Sequence, residues 1–560
     1  MILSNNGNSS QDKIVVKMVP FGPSVRNINS LTSKLLNRPK VRSYLKSISG
    51  GELEKTKKNK QTPRLLSVEL LPETTAAVAN KRITLPKFYL ARYYDYENNY
   101  CLSVKGKLGQ RNPTEIIESK QQPLPNNEEF KEAVRILSQN EPSIAESIQN
   151  NILKPYRPMP PLLVKETPDG DIERTLCIGL RPTDSGINSN SRSKYQHEII
   201  AVNMINKAIA RFDNRAPANS RAEESICGSP AANQPTANRG TPGSAKVTVT
   251  QGNTLLWDFI VTRPAASSGT NGSGIELQYV NYKGKRVLRR ANVPILNVQY
   301  DHDACGPFRD WQYEESMIDA DGDNAVPGFL LCPTSAKTIL DSGSDQGNFL
   351  GVAVYVDGLE EVVLVSEMEA SWYRYISEWR LHANGTIKPR FGFSAVNNSC
   401  VCNPHHHHVY WRLNFDVGDT KKNIVEEYND PPISGSSNWH LIKYETKRLR
   451  NPSSQRKWRI QNQQTSKGYL INPGANDGIA DSFGKGDIWF LKNRPNQFDD
   501  GIVALGSPSE AQIDNFVNHE LIKNKDIVVW YAAHFTHIAT HDDTTTTGHI
   551  VGPDLVPLDL

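Results

Sequence analysis

The chain has 560 residues, of which 38% are hydrophobic and 22% are charged, and its formal net charge is +4. These values predict a globular protein of several domains and exclude a disordered or fibrous chain. The charge is too small to indicate a nucleic-acid partner for the whole protein, and no apolar run approaches the roughly twenty residues that span a bilayer.

Residues 1–62 are expected to form a basic, mobile arm. Twelve lysines and arginines stand there against Asp12, Glu52 and Glu54, and the run from Lys55 to Lys60 is typical of a solvated segment. The first residues show no basic cluster followed by an apolar core. Because a secretory signal would have that pattern, the sequence predicts a cytoplasmic location.

Residues 63–213 are predicted to form a small α+β domain. Arg64–Leu71 and Lys87–Tyr96 have the composition of strands. A helix is expected to follow, with Asn127 as its N-cap and apolar residues at helical spacing behind it. Pro142 then opens a second, shorter helix.

Residues 214–246 are rich in Ala, Pro, Ser, Asn and Gly, which predicts a linker or a long loop. From Val247 onward short β segments follow one another closely, Lys283-Gly-Lys is a hairpin signal, and no long helix is evident. Residues 247–560 are therefore predicted to form a large antiparallel β-sandwich. The expected fold class is mainly β, with the α+β domain preceding the sandwich.

Four consecutive histidines, His405 to His408, begin an aromatic and β-branched segment that is predicted to be a strand. Side chains alternate along a strand, so His405 and His407 point one way while His406 and His408 point the other. Two imidazoles on one face form half of a site for copper, zinc, iron or nickel, and a third ligand must come from elsewhere. The alternative is a solvated polar run at the start of a strand.

A second histidine-bearing segment lies near the C-terminus. The sequence from Asp526 to Ile538 is predicted to be a buried strand, and it includes His534 and His537. If this strand is straight, His537 shares a face with apolar residues. A histidine on such a face is either a ligand or a core residue with its hydrogen bonds satisfied.

Three patterns resemble the copper-containing amine oxidases. His-x-His followed by Arg-Leu-x-x-Asp-Val is similar to that family's copper-ligand strand. The segment Asp-Ile-Val-Val-Trp-Tyr with a later Thr-His-Ile is similar to the strand that supplies the third copper histidine. Tyr-Arg-Tyr-Ile-Ser-Glu-Trp with a later Asn-Gly-Thr-Ile resembles the segment in which the family converts a tyrosine to topaquinone. These patterns begin at His405, Asp526 and Tyr373, respectively.

The resemblance extends from about Val247 to the C-terminus and, more faintly, over residues 64–212. It implies that these latter residues are the family's last small α+β domain and that its earlier N-terminal domain is missing. It further implies a homodimer that converts a primary amine, water and O2 to an aldehyde, ammonia and hydrogen peroxide.

The resemblance also implies roles for particular residues. Copper is expected on His405, His407 and His537, and Tyr373 stands where the family has its topaquinone precursor, which forms the Schiff base with the substrate. Tyr300 and Asp310 occupy the region of the family's catalytic base, a carboxylate that removes the α-proton. An ordinary turn aspartate is the alternative for Asp310, because the local motif differs from the family's.

The family's peripheral calcium site implies a further set of ligands. The matching positions are Asn414, Asp416 and Asp526 with the backbone carbonyls of Phe415 and Ile527. Asn414 stands where the family has a carboxylate, so the calcium site is expected to be weakened. The alternative is that the two aspartates bind backbone groups across neighbouring strands.

Two departures and one competing site accompany these expectations. Trp372 and Arg374 replace the family's asparagine and acidic residue on either side of the cofactor tyrosine, which changes both space and charge beside the ring. A copper oxidase of the same fold without topaquinone, and a non-catalytic metal-binding sandwich, are therefore the alternative functions. The competing site is zinc on Cys400, Cys402 and His405. A Cys305–Cys332 bridge is the remaining possibility, because Cys332 falls near a cysteine that the family often pairs.

Overall fold

The computed structural model describes residues 2–4, 13–22, 30–31, 63–71, 88–110, 112–120, 122–157, 162–163, 173–182, 198–211, 227–232, 234–235, 241, 243–300, 307–418, 420–494, 496–502, 509–538 and 549–560. The basic run from Lys55 to Lys60 lies outside these ranges, so its predicted mobility stays a prediction. Within them, no helix is long and apolar enough to cross a membrane.

The N-terminal half contains two short strands and then a mixed region of strands and helices. In chain order the elements are β1 (Ile2–Ser4), β2 (Ile14–Phe21), β3 (Arg64–Leu71), β4 (Phe88–Asp95), β5 (Tyr100–Lys107), β6 (Glu115–Ser119), α1 (Asn127–Asn140), α2 (Pro142–Gln149), β7 (Leu153–Tyr156), β8 (Leu162–Leu163), β9 (Thr175–Pro182), β10 (Glu198–Asn203) and β11 (Ile209–Arg211). Strands β3 to β6 form one antiparallel sheet, and β7 to β11 form another with the order β11-β10-β9-β7 and β8 paired to β9.

The rest of the described chain is almost entirely β. Its elements are β12 (Ser244–Gln251), β13 (Thr254–Thr262), β14 (Glu276–Tyr282), β15 (Lys285–Tyr300), β16 (Phe308–Arg309), β17 (Glu315–Ile318), β18 (Asp323–Val326), β19 (Phe329–Leu331), α3 (Ile339–Ser342), β20 (Phe349–Leu350), β21 (Val352–Asp357), β22 (Glu361–Ala370), β23 (Tyr373–His382), β24 (Ile387–Ala395), β25 (His405–Phe415), β26 (Asn423–Tyr428), β27 (Trp439–Ile442), β28 (Thr446–Arg448), β29 (Lys457–Asn462), β30 (Gly468–Asn472), β31 (Ile488–Lys492), β32 (Ile527–His537), β33 (Ile550–Val551) and β34 (Asp554–Leu558).

Two large sheets pack against each other in this region. One has the order β1-β2-β12-β13-β14-β15-β25-β32-β31-β28, with β16 paired to β15. The other has β18-β19-β21-β22-β23-β24-β34-β30-β29-β26-β27 as its main path. One apolar core includes residues of both sheets, among them Trp257 and Leu296 of the first and Val363 and Trp379 of the second. The predicted fold class, a large antiparallel sandwich preceded by an α+β region, is confirmed.

The segment Ile14–Phe21, expected to belong to the mobile arm, is instead a strand of the first large sheet. It pairs antiparallel with β12 along its whole length. Ile14, Val16 and Met18 alternate with more exposed residues and are buried in the core. The number of charged residues did not indicate this strand. Apolar residues at every second position are what predict a buried face, and this segment has that pattern.

The helices and the linker show two smaller differences from expectation. Helix α1 is capped by Asn126 rather than Asn127, because the Asn126 side chain accepts a hydrogen bond from the backbone N–H of Glu129 at 2.8 Å. Part of the predicted linker packs on the sandwich, since the backbone N–H of Ala232 donates to the buried carboxylate of Asp345 at 2.7 Å.

A buried arginine of the α+β region contacts the sandwich. The guanidinium of Arg157 donates to the hydroxyl of Tyr313 at 2.9 Å and to the carboxylate of Glu314 at 3.2 Å. Because a buried cation needs such partners, this contact joins the two parts of the chain in a fixed way.

Candidate metal centre

Two neighbouring strands of the first large sheet bring together the three histidines expected to bind copper. In the antiparallel pair β25–β32, His405 lies directly opposite His537, and His407 lies opposite Phe535. Alternation along β25 therefore directs His405 and His407 toward the second sheet, on the same side as His537. All three side chains are buried, and each can offer a ligand atom within 4.8 Å of the others.

The hydrogen bonds of the imidazoles leave nitrogen lone pairs pointing into this cluster. Nδ1 of His405 lies 2.6 Å from the carbonyl oxygen of Asn403, an acceptor, so Nδ1 bears the proton and Nε2 is the free base. Nδ1 of His407 lies 3.3 Å from the hydroxyl of Tyr375, and its buried Nε2 has no hydrogen-bond partner. Because buried polar atoms normally have a partner, this unpartnered nitrogen indicates a place where a metal ion can bind.

The electrostatics of the cluster favour metal binding as well. Burial, reinforced by neighbouring histidines, holds the pKa of both His405 and His407 well below the ordinary value. The rings are therefore neutral at physiological pH, which is the form that binds a metal. Three imidazoles suit copper or zinc, so the residues present fit a copper ion.

The side chain of Tyr373, at the start of β23 on the opposing sheet, points into the histidine cluster. Its hydroxyl contacts Nε2 of His405 and lies 2.5 Å from Nδ1 of His537. Its ring lies edge-on to His407, with centroids 4.4 Å apart. The structure thus places the expected cofactor tyrosine among all three expected copper ligands.

Tyr300 contacts one of the three histidines, His405. It ends β15 directly opposite His405 in the β15–β25 ladder, and its ring stacks on that imidazole with centroids 4.6 Å apart. Its hydroxyl accepts a hydrogen bond from Nε1 of Trp372 at 2.8 Å. Tyr300 therefore fixes the orientation of the His405 ring.

Asp310 is buried near Tyr373, and Tyr375 lies between them. The hydroxyl of Tyr375 donates to Oδ2 of Asp310, and its ring stacks on Tyr373 with centroids 5.1 Å apart. Oδ1 of Asp310 is buried without a hydrogen-bond partner. Burial raises the pKa of this carboxyl to about 7, opposed by the hydrogen bond from Tyr375.

Sequence reasoning missed Tyr375. A signal was available, because residues two apart on a strand share a face and Tyr375 follows Tyr373 by two positions. Its link to Asp310 could not be predicted in the same way. The two residues are 65 positions apart, and only the packing of one sheet on the other brings them together.

The two residues that flank Tyr373 are both buried. Ser371 and Trp372 form the turn between β22 and β23, in which Ala370 pairs with Tyr373. Ser371 has the positive φ of 61° that such a tight hairpin requires. Arg374 forms a buried ion pair with Asp345, its Nε lying 2.5 Å from Oδ1 and its Nη2 2.9 Å from Oδ2. These contacts fix the backbone on both sides of Tyr373.

The residues expected to bind calcium lie at the far ends of β25 and β32. Oδ1 of Asn414 and Oδ1 of Asp526 are buried without hydrogen-bond partners. Burial raises the pKa of both Asp416 and Asp526. The charge of Asp526 raises the pKa of Asp416 further, whereas nearby arginines lower the pKa of both carboxyl groups. Arg286 lies 3.9 Å from Asp416 and already supplies positive charge there.

The cysteines contradict the competing zinc site. Cys402 is joined to Cys227 by a disulfide bond, so its sulfur is not a thiolate that can bind zinc. Cys332 is a free, buried thiol, and the proposed bridge from Cys305 to Cys332 is therefore wrong. The bond to Cys227 anchors the turn that immediately precedes His405.

Comparisons with known proteins agree with this geometry. Residues 360–559 match the family described as copper amine oxidase, enzyme domain. That range includes Tyr373 and the three histidines but neither Tyr300 nor Asp310. A search of curated proteins gave no match.

Several solved structures have the same fold. A copper-containing benzylamine oxidase from Hansenula polymorpha is 11% identical, with 91% of this chain and 96% of that chain covered and a TM-score of 0.54. An amine oxidase from Aspergillus nidulans is 14% identical, with 96% and 88% covered and a TM-score of 0.56. The lysyl oxidase of Pichia pastoris is 13% identical, with 92% and 88% covered and a TM-score of 0.52.

At these identities the structural likeness shows the fold, and the family match adds the enzyme domain in which the cluster of histidines lies. Residues 360–559 thus match the enzyme domain of the copper amine oxidases, and the chain has the fold of the amine oxidases to which it is similar.

Proposed function

We propose that this protein oxidatively deaminates a primary amine, converting the amine, water and O2 to an aldehyde, ammonia and hydrogen peroxide, with copper and a quinone made from Tyr373. One observation carries the proposal. The hydroxyl of Tyr373 points between His405 and His537, while a buried carboxylate lies one ring away through Tyr375.

The chain's own residues have distinct tasks in this proposal. Copper, when bound, would promote the oxidation of the Tyr373 ring by O2 and the later reduction of O2 to hydrogen peroxide. His405, His407 and His537 offer nitrogen ligands in a buried site. Tyr300 stacks on His405 and holds its ring in place.

Asp310 is the proposed general base. Its Oδ2 is engaged by the Tyr375 hydroxyl, and its Oδ1 has no hydrogen-bond partner, so Oδ1 is the atom that takes the proton from the carbon next to the amine nitrogen. A pKa of about 7 suits this task, because a base works best when its pKa is near the working pH.

The test is to load metal-free protein with Cu(II) in air. We expect a positive quinone redox stain, a peptide in which residue 373 is heavier than tyrosine, and hydrogen peroxide release with a panel of primary amines. Tyr373→Phe is the matched control, since it keeps the three histidines and is expected to bind copper without stain or peroxide. An unmodified Tyr373 in fully copper-loaded, oxygen-exposed protein would contradict the quinone.

A second candidate is a copper oxidase that uses an unmodified Tyr373 on another substrate. The hydrogen bond from Trp372 to Tyr300 and the ion pair of Arg374 favour it, because they restrict the space and the backbone beside the ring. Peroxide release without a quinone stain would distinguish this function from amine oxidation. Copper binding with neither signal would indicate a non-catalytic metal-binding protein.

We also propose that Asn414, Asp416 and Asp526, with the carbonyls of Phe415 and Ile527, bind calcium weakly. The unpartnered oxygens of Asn414 and Asp526 support this, whereas the nearby guanidinium of Arg286 lowers the affinity. Isothermal titration with Ca²⁺ tests it: an Asn414→Asp variant is expected to bind more tightly, and no heat from either protein would contradict the site.

The family resemblance supports a homodimer. Light scattering on the purified chain is expected to give twice the mass of 62.6 kDa. A monomer at micromolar concentration would contradict this assignment.

A further inference from the structure

Two histidines face away from the metal centre and contact each other. His408, a neighbour of His407, lies directly opposite His534 in the β25–β32 ladder. Their Nδ1 atoms are 2.7 Å apart, and both side chains are buried. The pair therefore links the strand that holds His407 to the strand that holds His537, on the face of the sheet opposite the metal.

The partners of His534 extend this link beyond the two strands. Nε2 of His534 lies 2.9 Å from a carboxylate oxygen of Asp487 and 3.2 Å from the carbonyl oxygen of Gly486. Both atoms are acceptors, so Nε2 bears a proton. Nε2 of His408 lies 3.6 Å from a carboxylate oxygen of Asp481. The contacts thus connect His408, His534 and Asp487 in one series, with a single proton shared between the two Nδ1 atoms.

Asp487 is itself fixed by groups outside the two strands. Its buried carboxylate accepts from the backbone N–H groups of Arg450 at 2.6 Å and of Ala480 at 2.8 Å. The guanidinium of Arg450 lies 3.1 Å from the same carboxylate and also donates to the backbone carbonyls of Asp477 and Ala532. The three side chains therefore connect the metal-binding strands to a rigid support.

The backbone of Gly484 lies close to both imidazole rings. A Cβ atom at this position would lie 2.4 Å from Nδ1 of His408 and 2.7 Å from Nδ1 of His534. Such distances are far below van der Waals contact, so any larger residue must displace one or both rings. The positions of the two rings are thus restricted by Gly484 as well as by the hydrogen bonds to Asp487.

We propose that His408, His534 and Asp487, which we call the histidine clamp, are positioning residues for the metal centre. Backbone hydrogen bonds set the register of β25 and β32, whereas the side-chain link sets how closely the strands approach and how they tilt at the level of His407 and His537. The clamp rests on the proposed copper site, since it acts through those two ligands.

The test compares two substitutions of His408 in the full chain. His408→Leu removes the link, and we expect Cu(II) affinity to fall by about tenfold, as for other residues that orient metal ligands, with altered hyperfine splitting in the Cu(II) EPR spectrum. His408→Asn keeps a hydrogen-bonding amide near the position of Nδ1 and is expected to restore both values. His406→Leu is the matched control, because His406 also adjoins the copper ligands but bonds to Thr536 at an exposed position.

Gly484→Ala provides a second variant if His408→Leu does not fold. It retains every polar group, and its added methyl group is expected to change the EPR spectrum through displacement of the two rings. Wild-type protein that binds copper, with the same affinity and spectrum in His408→Leu and Gly484→Ala, would overturn the clamp alone. Wild-type protein that binds no copper would overturn the proposed function and the clamp with it.

Discussion

The carboxyl group of Asp310 is subject to two opposing effects. Burial raises its pKa, because the ionised form is poorly solvated, and the hydrogen bond from Tyr375 lowers it. The result is a pKa of about 7. A group with that value is ionised in a large fraction of molecules at physiological pH and can still bind a proton, as a general base must.

Removing the Tyr375 hydroxyl is predicted to shift the pH dependence of catalysis. The base works only when ionised, so kcat/KM rises as the pH rises through the pKa of Asp310. Tyr375→Phe removes a hydrogen bond to the ionised form, raises this pKa further, and moves the rise to higher pH by about one unit. Profiles of kcat/KM against pH for both proteins, at equal copper content, check this; an unshifted rise would contradict it.

Asp310→Asn tests the role of the carboxylate directly. The amide is similar in shape but cannot take a proton, so we expect kcat to fall by roughly 10² or more, the usual contribution of a positioned general base. Copper content and the quinone stain are expected to be retained. Activity near that of the wild type would favour the turn-residue interpretation of Asp310.

At the level of elements, the hairpin β22–β23 determines where Tyr373 points. Its turn consists of Ser371 and Trp372, and the buried Arg374–Asp345 ion pair anchors the strand immediately after Tyr373. Removing one partner of a buried pair leaves the other charge without compensation, which costs much more than the loss of an exposed pair.

The same strand offers a matched comparison of two ion pairs. Asp345→Ala is predicted to lower the free energy of unfolding by about 3 kcal/mol, because it removes the hydrogen-bonded carboxylate of the buried Arg374 guanidinium and leaves Glu369, 3.6 Å away, as the nearest described carboxylate. Asp357→Ala breaks the pair with Arg380, whose partners are more exposed, and is expected to cost less than about 1 kcal/mol. Urea unfolding of both variants measures the difference, and equal effects would contradict the role assigned to Asp345.

Some features of single strands could be predicted from the sequence, and others could not. Period-two alternation along β25 separated His405 and His407 from His406 and His408, and the structure has the same arrangement. The same rule would have predicted β2 if it had been applied to the charge-rich residues at the N-terminus as well. Alternation says which face a residue occupies but not what lies opposite, and so the contact of His408 with His534, 126 residues away, was not predicted.

At the level of the whole molecule, the site consists of parts from both sheets. Tyr373 and Tyr375 belong to one sheet, and the histidines belong to the other. The family resemblance indicated which residues form the site. The alternation of residues alone predicted the strands but not how the two sheets pack on each other. The zinc alternative failed for the same reason, because a disulfide over 175 residues cannot be derived from spacing.

Loss of the Cys227–Cys402 bond is predicted to destabilise the whole chain. Closing a loop of this length restricts the unfolded chain by roughly 5 kcal/mol in the chain-entropy model. A Cys227→Ser, Cys402→Ser variant is therefore expected to melt several degrees lower in calorimetry. The free thiol Cys332 is the control site, since Cys332→Ala leaves that loop closed. Equal melting temperatures for the wild type and the double variant would contradict the stabilising role.

The same bond has a consequence for how the protein is made. Structural disulfides form in oxidising compartments and are rare where thiols are kept reduced, which opposes the cytoplasmic location predicted from the first residues. Recombinant chain produced in a reducing cytosol would enter purification with the turn before His405 unanchored. Secretion or periplasmic expression, with no thiol reductant in the buffers, is the route we expect to yield protein that takes up copper fully.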